Sequence, residues 1–358
     1  MNEKNDNVFK PSSAGPILAA VLLVVVIALI ITVVCIIAST GSEPNEGTNT
    51  TTTTTTTAST TTTTKPPEGN ENPGNNENPG NNENPGNNEN KPPVTPGVTA
   101  ETITVDTNDA YKGPLILVDE ENNYKISKDL LISRTQMAEL TKKQLLDTYN
   151  FANVYGTTNG NYKVKSITGY YLNVDTLDAL NKMMAAFAAE QGKTDVQLRN
   201  AYYYDASETV CLNATGLVID LEINTENGKY PLKHTAFKAT YYDWFTDNCA
   251  KYGFVHLADV KNSMGEENYT SFRYVGVAHA SFMKNNALKL DEYLTFIKDR
   301  TFENRLVMTA DDGNEWWLYY VPGSGEQTTI KVVGKNYEIS GNNYDGFVVA
   351  INASSLSA

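Results

Sequence analysis

The sequence is poor in the side chains that most often bind metal ions and nucleic acids. Its 358 residues include three histidines and three cysteines. The 28 Lys and Arg residues are outnumbered by 42 Asp and Glu residues, which gives a net charge of −14. No clusters of Lys and Arg are present to neutralise phosphates, which excludes a nucleic-acid partner. Cys211 and Cys249 are too few for a disulfide scaffold, and their spacing matches no zinc knuckle. The sequence leaves open whether they form a disulfide with each other.

Residues 39–98 lack large apolar side chains almost completely. A threonine-rich run at 48–64 is followed by "NENPGN" repeats across residues 70–87. Such a segment buries too little surface to offset chain entropy, and its Asn-Pro and Pro-Gly steps oppose regular structure. The pattern predicts a disordered stalk that acts as a spacer. A tether without further consequence and an O-glycosylated mucin-like stalk are the alternatives.

Long apolar runs are also scarce, and residues 17–38 form the one that is long enough to cross a bilayer. The run exceeds a usual signal-peptide core and no clean cleavage site follows, which favours an uncleaved anchor. Lys4 and Lys10 precede it, and the next basic residue is Lys65. This bias predicts a cytoplasmic tail at 1–16 and an extracellular remainder.

The chain after the stalk has a globular composition. Apolar spacing predicts helices at 135–151, at 175–193 with Asp175 as cap and Gly192 as stop, and at 237–253. Strands are predicted at 196–204 and 216–223, and the mixed order indicates an α+β fold.

Five further short strands after Asp299 predict a small all-β appendage. Its aromatic residues are a candidate sugar-binding face, but burial in the core of the appendage is favoured; they are Trp316, Trp317, Tyr319 and Tyr320. We therefore predict an α+β domain at 99–299 and a small β domain at 300–358.

Three stretches resemble the VanY-like zinc D-alanyl-D-alanine carboxypeptidases. They are "ALNKMMAAFAAEQGKTDVQLRNAY", "NATGLVID", and "YDWFTDNCAKYGF" followed by "NYTSFRYVGVAHASFM", and together they span roughly residues 170–290. The resemblance implies a carboxypeptidase-like domain. It also implies an activity, which is removal of the terminal D-alanine from peptidoglycan stem peptides.

The family's catalytic residues are largely replaced here. The resemblance implies zinc ligands at Asn213, Asp220 and Ser271, where the family has His, Asp and His, and a general base at Asn268, where it has Glu. The arginine that grips the substrate carboxylate falls on Tyr203. Asn and Ser are poor zinc ligands, and loss of the base removes a second requirement for catalysis. We expect no catalytic residues and no bound cofactor, although zinc is the family's metal.

The same positions, with Arg273, define a predicted remnant cleft. Rebuilding a metal site there from Cys211, Asp220 and a distant histidine is disfavoured by zinc's ligand preferences. His234 is predicted to be a surface residue and His256 a hydrogen-bonded structural one, and His279 matches a family histidine outside the metal shell.

The sequence thus favours a non-catalytic protein in the cell membrane of a Gram-positive bacterium. Its C-terminal domain would bind a peptidoglycan peptide or a wall-associated protein. An active zinc peptidase with altered ligands is the main alternative. A mucin-like adhesion receptor is another, suggested by the stalk and by the sequons "NTT", "NAT" and "NYT".

Overall fold

The computed structural model describes residues 99–120, 131–204, 210–238, 240–258 and 268–357, which all lie in one compact unit. The predicted cytoplasmic tail, transmembrane helix and stalk lie outside the described residues. Within those described ranges, no helix combines the length and apolar character needed to span a membrane.

The described chain mixes helices and sheets, which confirms the α+β class. The helices are α1 (Arg134–Glu139), α2 (Lys142–Tyr149), α3 (Val174–Gln191), α4 (Thr240–Asn248), α5 (Val277–Asn285) and α6 (Leu290–Ile297). The strands are β1 (Ala100–Asp106), β2 (Phe151–Asn153), β3 (Lys163–Val164), β4 (Tyr171–Asn173), β5 (Val196–Asn200), β6 (Val218–Thr225), β7 (Gly228–Tyr230), β8 (Phe254–His256), β9 (Ser271–Tyr274), β10 (Leu306–Thr309), β11 (Glu315–Pro322), β12 (Gln327–Val333), β13 (Tyr337–Gly341) and β14 (Gly346–Asn352).

The single helix predicted at 135–151 is wrong, because the chain forms two short helices there. Ser133 and Thr141 each build a capping box with the glutamine three residues later, so the second helix starts anew after Leu140. Asn150 then adopts a left-handed conformation that ends α2 and turns the chain into β2.

Helix α3 confirms the predicted helix at 175–193, with one correction at its start. The capping side chain is that of Asn173, which accepts a hydrogen bond from the backbone of Asp175, and Asp175 itself lies in the first turn. Gly192 ends the helix at a φ of 64°. The predicted apolar stripe is buried against the main sheet; its members are Leu177, Leu180, Met184 and Phe187.

The main sheet has the strand order β3-β5-β6-β9-β8, with β7 also paired to β6. The strand predicted at 196–204 ends earlier, at Asn200, after a register shift in its pairing with β6. The strand predicted at 216–223 begins at Val218, because a 3-10 helix at Leu212–Thr215 and a left-handed Gly216 precede it. The helix predicted at 237–253 is α4 followed by a 3-10 helix at Cys249–Tyr252.

All five strands predicted after Asp299 are present. Four of them form one sheet in the order β10-β11-β14-β13, whereas β12 pairs with β1 from the start of the described chain. Trp316 and Trp317 are buried, as expected for core residues. The division into domains at residue 299 stays a prediction, and one apolar cluster joins Val275 on the first side to Leu318 on the second.

Candidate functional site

Three neighbouring strands bring Asp220 together with two polar partners. Asp220 lies opposite Asn200 on β5 and opposite Ser271 on β9. The amide nitrogen of Asn200 donates a hydrogen bond of 2.9 Å to the Asp220 carboxylate, and the Ser271 hydroxyl donates to the other carboxylate oxygen. Both carboxylate oxygens of Asp220 are therefore hydrogen-bonded within the sheet.

Asn268 completes this arrangement from the turn before β9. Its amide nitrogen donates to the Ser271 hydroxyl at 2.7 Å, and its amide oxygen accepts from the Ser271 backbone at 3.1 Å. Its own carbonyl oxygen lies 2.7 Å from Nε2 of His256 on β8. Asn200, Asp220, Asn268 and Ser271 form one connected set, which we call the Asp220 network.

Asn213 approaches the network through the backbone. It is buried in the 3-10 helix that precedes β6, and its amide nitrogen donates a 3.1 Å hydrogen bond to the carbonyl of Ala201, the residue after Asn200. Within the described chain, Asn213 forms no hydrogen bond to Asp220 or Ser271. The structure thus links Asp220, Asn268 and Ser271 by direct hydrogen bonds. Asn213 is connected to them only through the backbone at Ala201, the residue after β5.

Arg273 is buried beside the segment that follows β1. The side chain is 3% exposed and donates to the carbonyl oxygens of Ile116 and Pro114. Burial lowers the pKa of this guanidinium to about 10. Arg273 therefore holds backbone in place, and its burial leaves it little access to a ligand.

A cation missed by the sequence analysis lies against Tyr203. The guanidinium of Arg134 is 5.7 Å from the ring centroid of Tyr203 and 5.6 Å from that of Tyr170, and its Nε donates to the carbonyl of Tyr202 at 2.9 Å. No spacing in the sequence could indicate this contact, because the segment that contains Arg134 is remote from Tyr203 in the chain.

An aromatic rim borders the network on the side of Asn268. The ring of Tyr242 packs edge-on against Tyr269 at 5.3 Å and against His256 at 5.5 Å. The ammonium of Lys233 lies 5.0 Å from the Tyr242 ring and 4.9 Å from the Tyr269 ring. This rim was also not anticipated.

His234 and His279 lie outside the Asp220 network. His234 is partly exposed, and its ring packs 4.7 Å from the Tyr230 ring. His256 is hydrogen-bonded, as predicted. His279 is buried, and its Nδ1 lies 2.6 Å from the Tyr293 hydroxyl.

Cys211 and Cys249 are both buried, and they form no disulfide with each other in the structure. The Cys211 thiol donates to the carbonyl of Tyr203 at 3.4 Å. Burial raises the pKa of the Cys249 thiol to about 12, which keeps it protonated and unreactive.

Comparison with known proteins supports the resemblance. A D-alanyl-D-alanine carboxypeptidase of Enterococcus faecium is 25% identical over 253 residues, which cover 69% of this chain and 78% of that protein. The resemblance to the VanY-like carboxypeptidase family is confirmed. No family model matches the chain. Nothing in the comparisons supports an adhesion receptor.

Two solved peptidase structures are also similar to this chain, at lower sequence identity than the Enterococcus faecium protein. The D,D-dipeptidase VanXYg in complex with a D-Ala-D-Ala phosphinate analogue is 23% identical, with 71% of this chain and 99% of that chain covered and a TM-score of 0.49. VanYB in complex with D-alanine-D-alanine is 17% identical, with 36% and 86% covered and a TM-score of 0.29.

The residues that the resemblance places at metal positions do not fit zinc. By that resemblance zinc would need imidazole nitrogens at two positions where the chain has an amide and a hydroxyl, which bind it poorly. Asp220, the third of these positions, already accepts hydrogen bonds from Asn200 and Ser271. Across the described ranges, no group of three or more His, Cys, Asp or Glu side chains is placed to hold a metal ion. No catalytic step through zinc follows from these residues.

Proposed function

We propose that the protein is a membrane-anchored relative of the D-alanyl-D-alanine carboxypeptidases that binds a peptidoglycan stem peptide without cleaving it. The observation that carries the proposal is the Asp220 network. Its hydrogen bonds satisfy both oxygens of Asp220 within the protein, and Asn268 supplies an amide where the family has the glutamate base. Asn and Ser keep the hydrogen-bonding capacity that a peptide backbone requires.

Arg134 gives the proposed site its preference for a free carboxylate. Its Nε is held by the Tyr202 carbonyl and its plane lies near two tyrosine rings, so the orientation of the guanidinium is restricted. The terminal nitrogens have no hydrogen-bond partner among the described residues, and the side chain is half-exposed. A guanidinium so held is suited to bind a carboxylate through two parallel hydrogen bonds.

The position of this cation supports its assignment to the same site. Ala201 and Tyr202 are consecutive residues, and their carbonyls accept hydrogen bonds from Asn213 and Arg134 respectively. A peptide at the Asp220 network would therefore have a positive charge near one end of the site. Lys233 and the aromatic rim border the other side.

The membrane and cell-wall location of this activity rests on the sequence. The apolar run at 17–38 has the length of a membrane-spanning helix, and the lysines before it favour an extracellular C-terminal domain. The spacer at 39–98 would let the domain reach peptides away from the membrane surface.

Binding and cleavage are tested together on the purified full-length chain. We expect a peptide ending in D-Ala-D-Ala to bind in a calorimetric titration, with no release of D-alanine and no stoichiometric zinc. The same peptide with an amidated C-terminus should bind about tenfold more weakly, since it loses a charge-assisted carboxylate contact.

The substitution Arg134→Gln should weaken binding of the free-acid peptide to the level of the amidated one. Arg199→Gln is the matched control, because Arg199 is an exposed arginine on β5. Near-stoichiometric zinc with EDTA-sensitive release of D-alanine would instead establish an active zinc peptidase. Failure of the peptide to bind would reject it as the ligand.

A further inference from the structure

A cavity of about 630 Å³ lies apart from the Asp220 network, between α3, α5 and strand β13. This volume is in the range of cavities that hold small molecules. None of the residues of the Asp220 network lines it, and Tyr252 and Tyr274 contribute aromatic side chains to its wall.

Four acidic side chains line this cavity, Asp175, Asp178, Asp312 and Glu338, against two basic ones, Lys182 and the exposed Lys251. Asp178 is paired with Lys182 at 2.6 Å, but Asp175, Asp312 and Glu338 form no ion pair with any described Lys, Arg or His. Burial and the neighbouring Asp175 and Asp312 raise the pKa of Glu338, and burial and Asp178 raise that of Asp175. The carboxylates therefore repel one another around a shared space, which a bound cation would relieve.

A buried histidine adds an unpartnered nitrogen to the same space. His279 lines the cavity, is 1% exposed, and uses Nδ1 in its contact with the Tyr293 hydroxyl. No described residue hydrogen-bonds its Nε2. A Cβ placed at Gly276 would lie 3.1 Å from Oε2 of Glu338 and 3.3 Å from Cδ2 of His279. The carboxylate and the free edge of the ring thus flank one point of the wall.

We propose that this cavity binds an organic ligand through a primary ammonium group, held by Glu338 and His279. The ammonium would donate to the Glu338 carboxylate and to Nε2 of the neutral imidazole, with Asp175 adding negative charge nearby, and the tyrosine rings offer faces that attract cations. A metal ion is a poorer fit, because no group of three or more His, Cys, Asp or Glu side chains in the described part of the chain is placed to hold one. A free diamine and a lysine side chain of a peptide share this chemistry.

The test titrates the full-length chain with 1,5-diaminopentane and, separately, with a short peptide that carries one lysine and blocked ends. We expect at least one of them to bind, Glu338→Gln to weaken binding about tenfold, as for loss of one charge-assisted hydrogen bond, and Asp175→Asn to weaken it by a smaller factor through the lost charge. Glu326→Gln is the matched control, because Glu326 is exposed and remote from the cavity wall.

The outcomes of the titrations distinguish a free amine from a lysine side chain, and they also test whether the cavity binds an ammonium group at all. Binding of the diamine alone identifies a free amine, and binding of the peptide alone identifies a lysine side chain, and both support the proposal when the variants weaken it. The proposal is overturned if neither probe binds, if binding is unchanged by Glu338→Gln, or if Ca²⁺ binds where the amines do not. Binding of the D-Ala-D-Ala peptide should be unaffected by Glu338→Gln, so this site is tested independently of the proposed function.

Discussion

Ser271 and Asp220 lie opposite each other on adjacent antiparallel strands, and the serine hydroxyl donates a hydrogen bond to the aspartate carboxylate. In the family pattern both positions would be zinc ligands. Here the two side chains bind each other, so the replacement of His by Ser leaves no orphaned carboxylate oxygen. The Asp220 network is consequently expected to stabilise the fold, which predicts that its disruption affects folding as well as the proposed binding.

Removal of the serine hydroxyl should destabilise the fold. In Ser271→Ala, Asp220 loses a donor and the Asn268 amide loses its acceptor in a mostly buried site. We expect the free energy of unfolding to fall by about 1–3 kcal/mol, measured by urea denaturation. Ser324→Ala, at an exposed serine, should change it by less than ~0.5 kcal/mol. Equal effects of the two substitutions would mean that the network adds no stability.

Zinc binding should be recoverable by restoring the family's residues. The triple variant Asn213→His, Asn268→Glu and Ser271→His should bind zinc with Asp220 as the third protein ligand, as measured by metal analysis after dialysis. Addition of Asp220→Ala to the triple variant is the control and should abolish binding. A folded triple variant without zinc affinity would show that these positions do not align with the family's ligands.

The sequence predicted the elements whose signals are local. The apolar stripe and Gly192 define α3, and short β-branched and aromatic runs between Gly, Asn and Asp turns define the strands after Asp299. The capping boxes at Ser133 and Thr141 are local signals too. The apolar spacing runs across both helices, however, and it led to the prediction of one helix where the chain forms two.

The long-range contacts were not predictable from such patterns. Pairing of β1 with β12 joins segments more than 200 residues apart, and it leaves no mark in either strand alone. Arg134 likewise contacts Tyr203 only because α1 folds back onto the end of β5. Family resemblance located Asp220 and Ser271 because it encodes such contacts, whereas Arg134 lies outside the matching motifs.

Acid should destabilise the protein through His279. Burial lowers the pKa of His279 from 6.5 to about 3. Between these pH values the His279 imidazole is protonated in the unfolded chain and neutral in the folded protein. Stability is therefore greatest above pH 6.5 and falls as the pH drops toward 3, by up to about 1.4 kcal/mol per pH unit. Between pH 6.5 and 5 this amounts to about 2 kcal/mol.

The variant His279→Gln isolates this contribution. Glutamine does not titrate and retains a group that can hydrogen-bond the Tyr293 hydroxyl. Urea denaturation at several pH values should show a shallower loss of stability for His279→Gln than for the unsubstituted chain. If His279→Gln follows the same curve as the unsubstituted chain, His279 is not the group responsible.

The entry to β6 should tolerate no side chain at Gly216. This glycine has a φ of 68°, and an added Cβ would overlap the ring of Phe151, coming within 2.9 Å of its Cζ. Gly192 has nearly the same backbone conformation, with a φ of 64°, but an added Cβ there meets no atom within 4 Å. Gly192→Ala should therefore cost about 1 kcal/mol for the left-handed backbone alone, and Gly216→Ala about 2–4 kcal/mol, because the clash is added.

The difference between the two glycine variants measures the contact with Phe151. Phe151 is buried, so Phe151→Ala is itself destabilising, by about 3–5 kcal/mol. In the double variant Gly216→Ala and Phe151→Ala the new methyl group enters space that the ring has left, and the combined loss should be smaller than the sum of the two single losses. Strict additivity would place the cost of Gly216→Ala in the backbone alone. In that case, contact with the Phe151 ring would not be the reason for glycine at position 216, in the turn between Asn213 and Asp220.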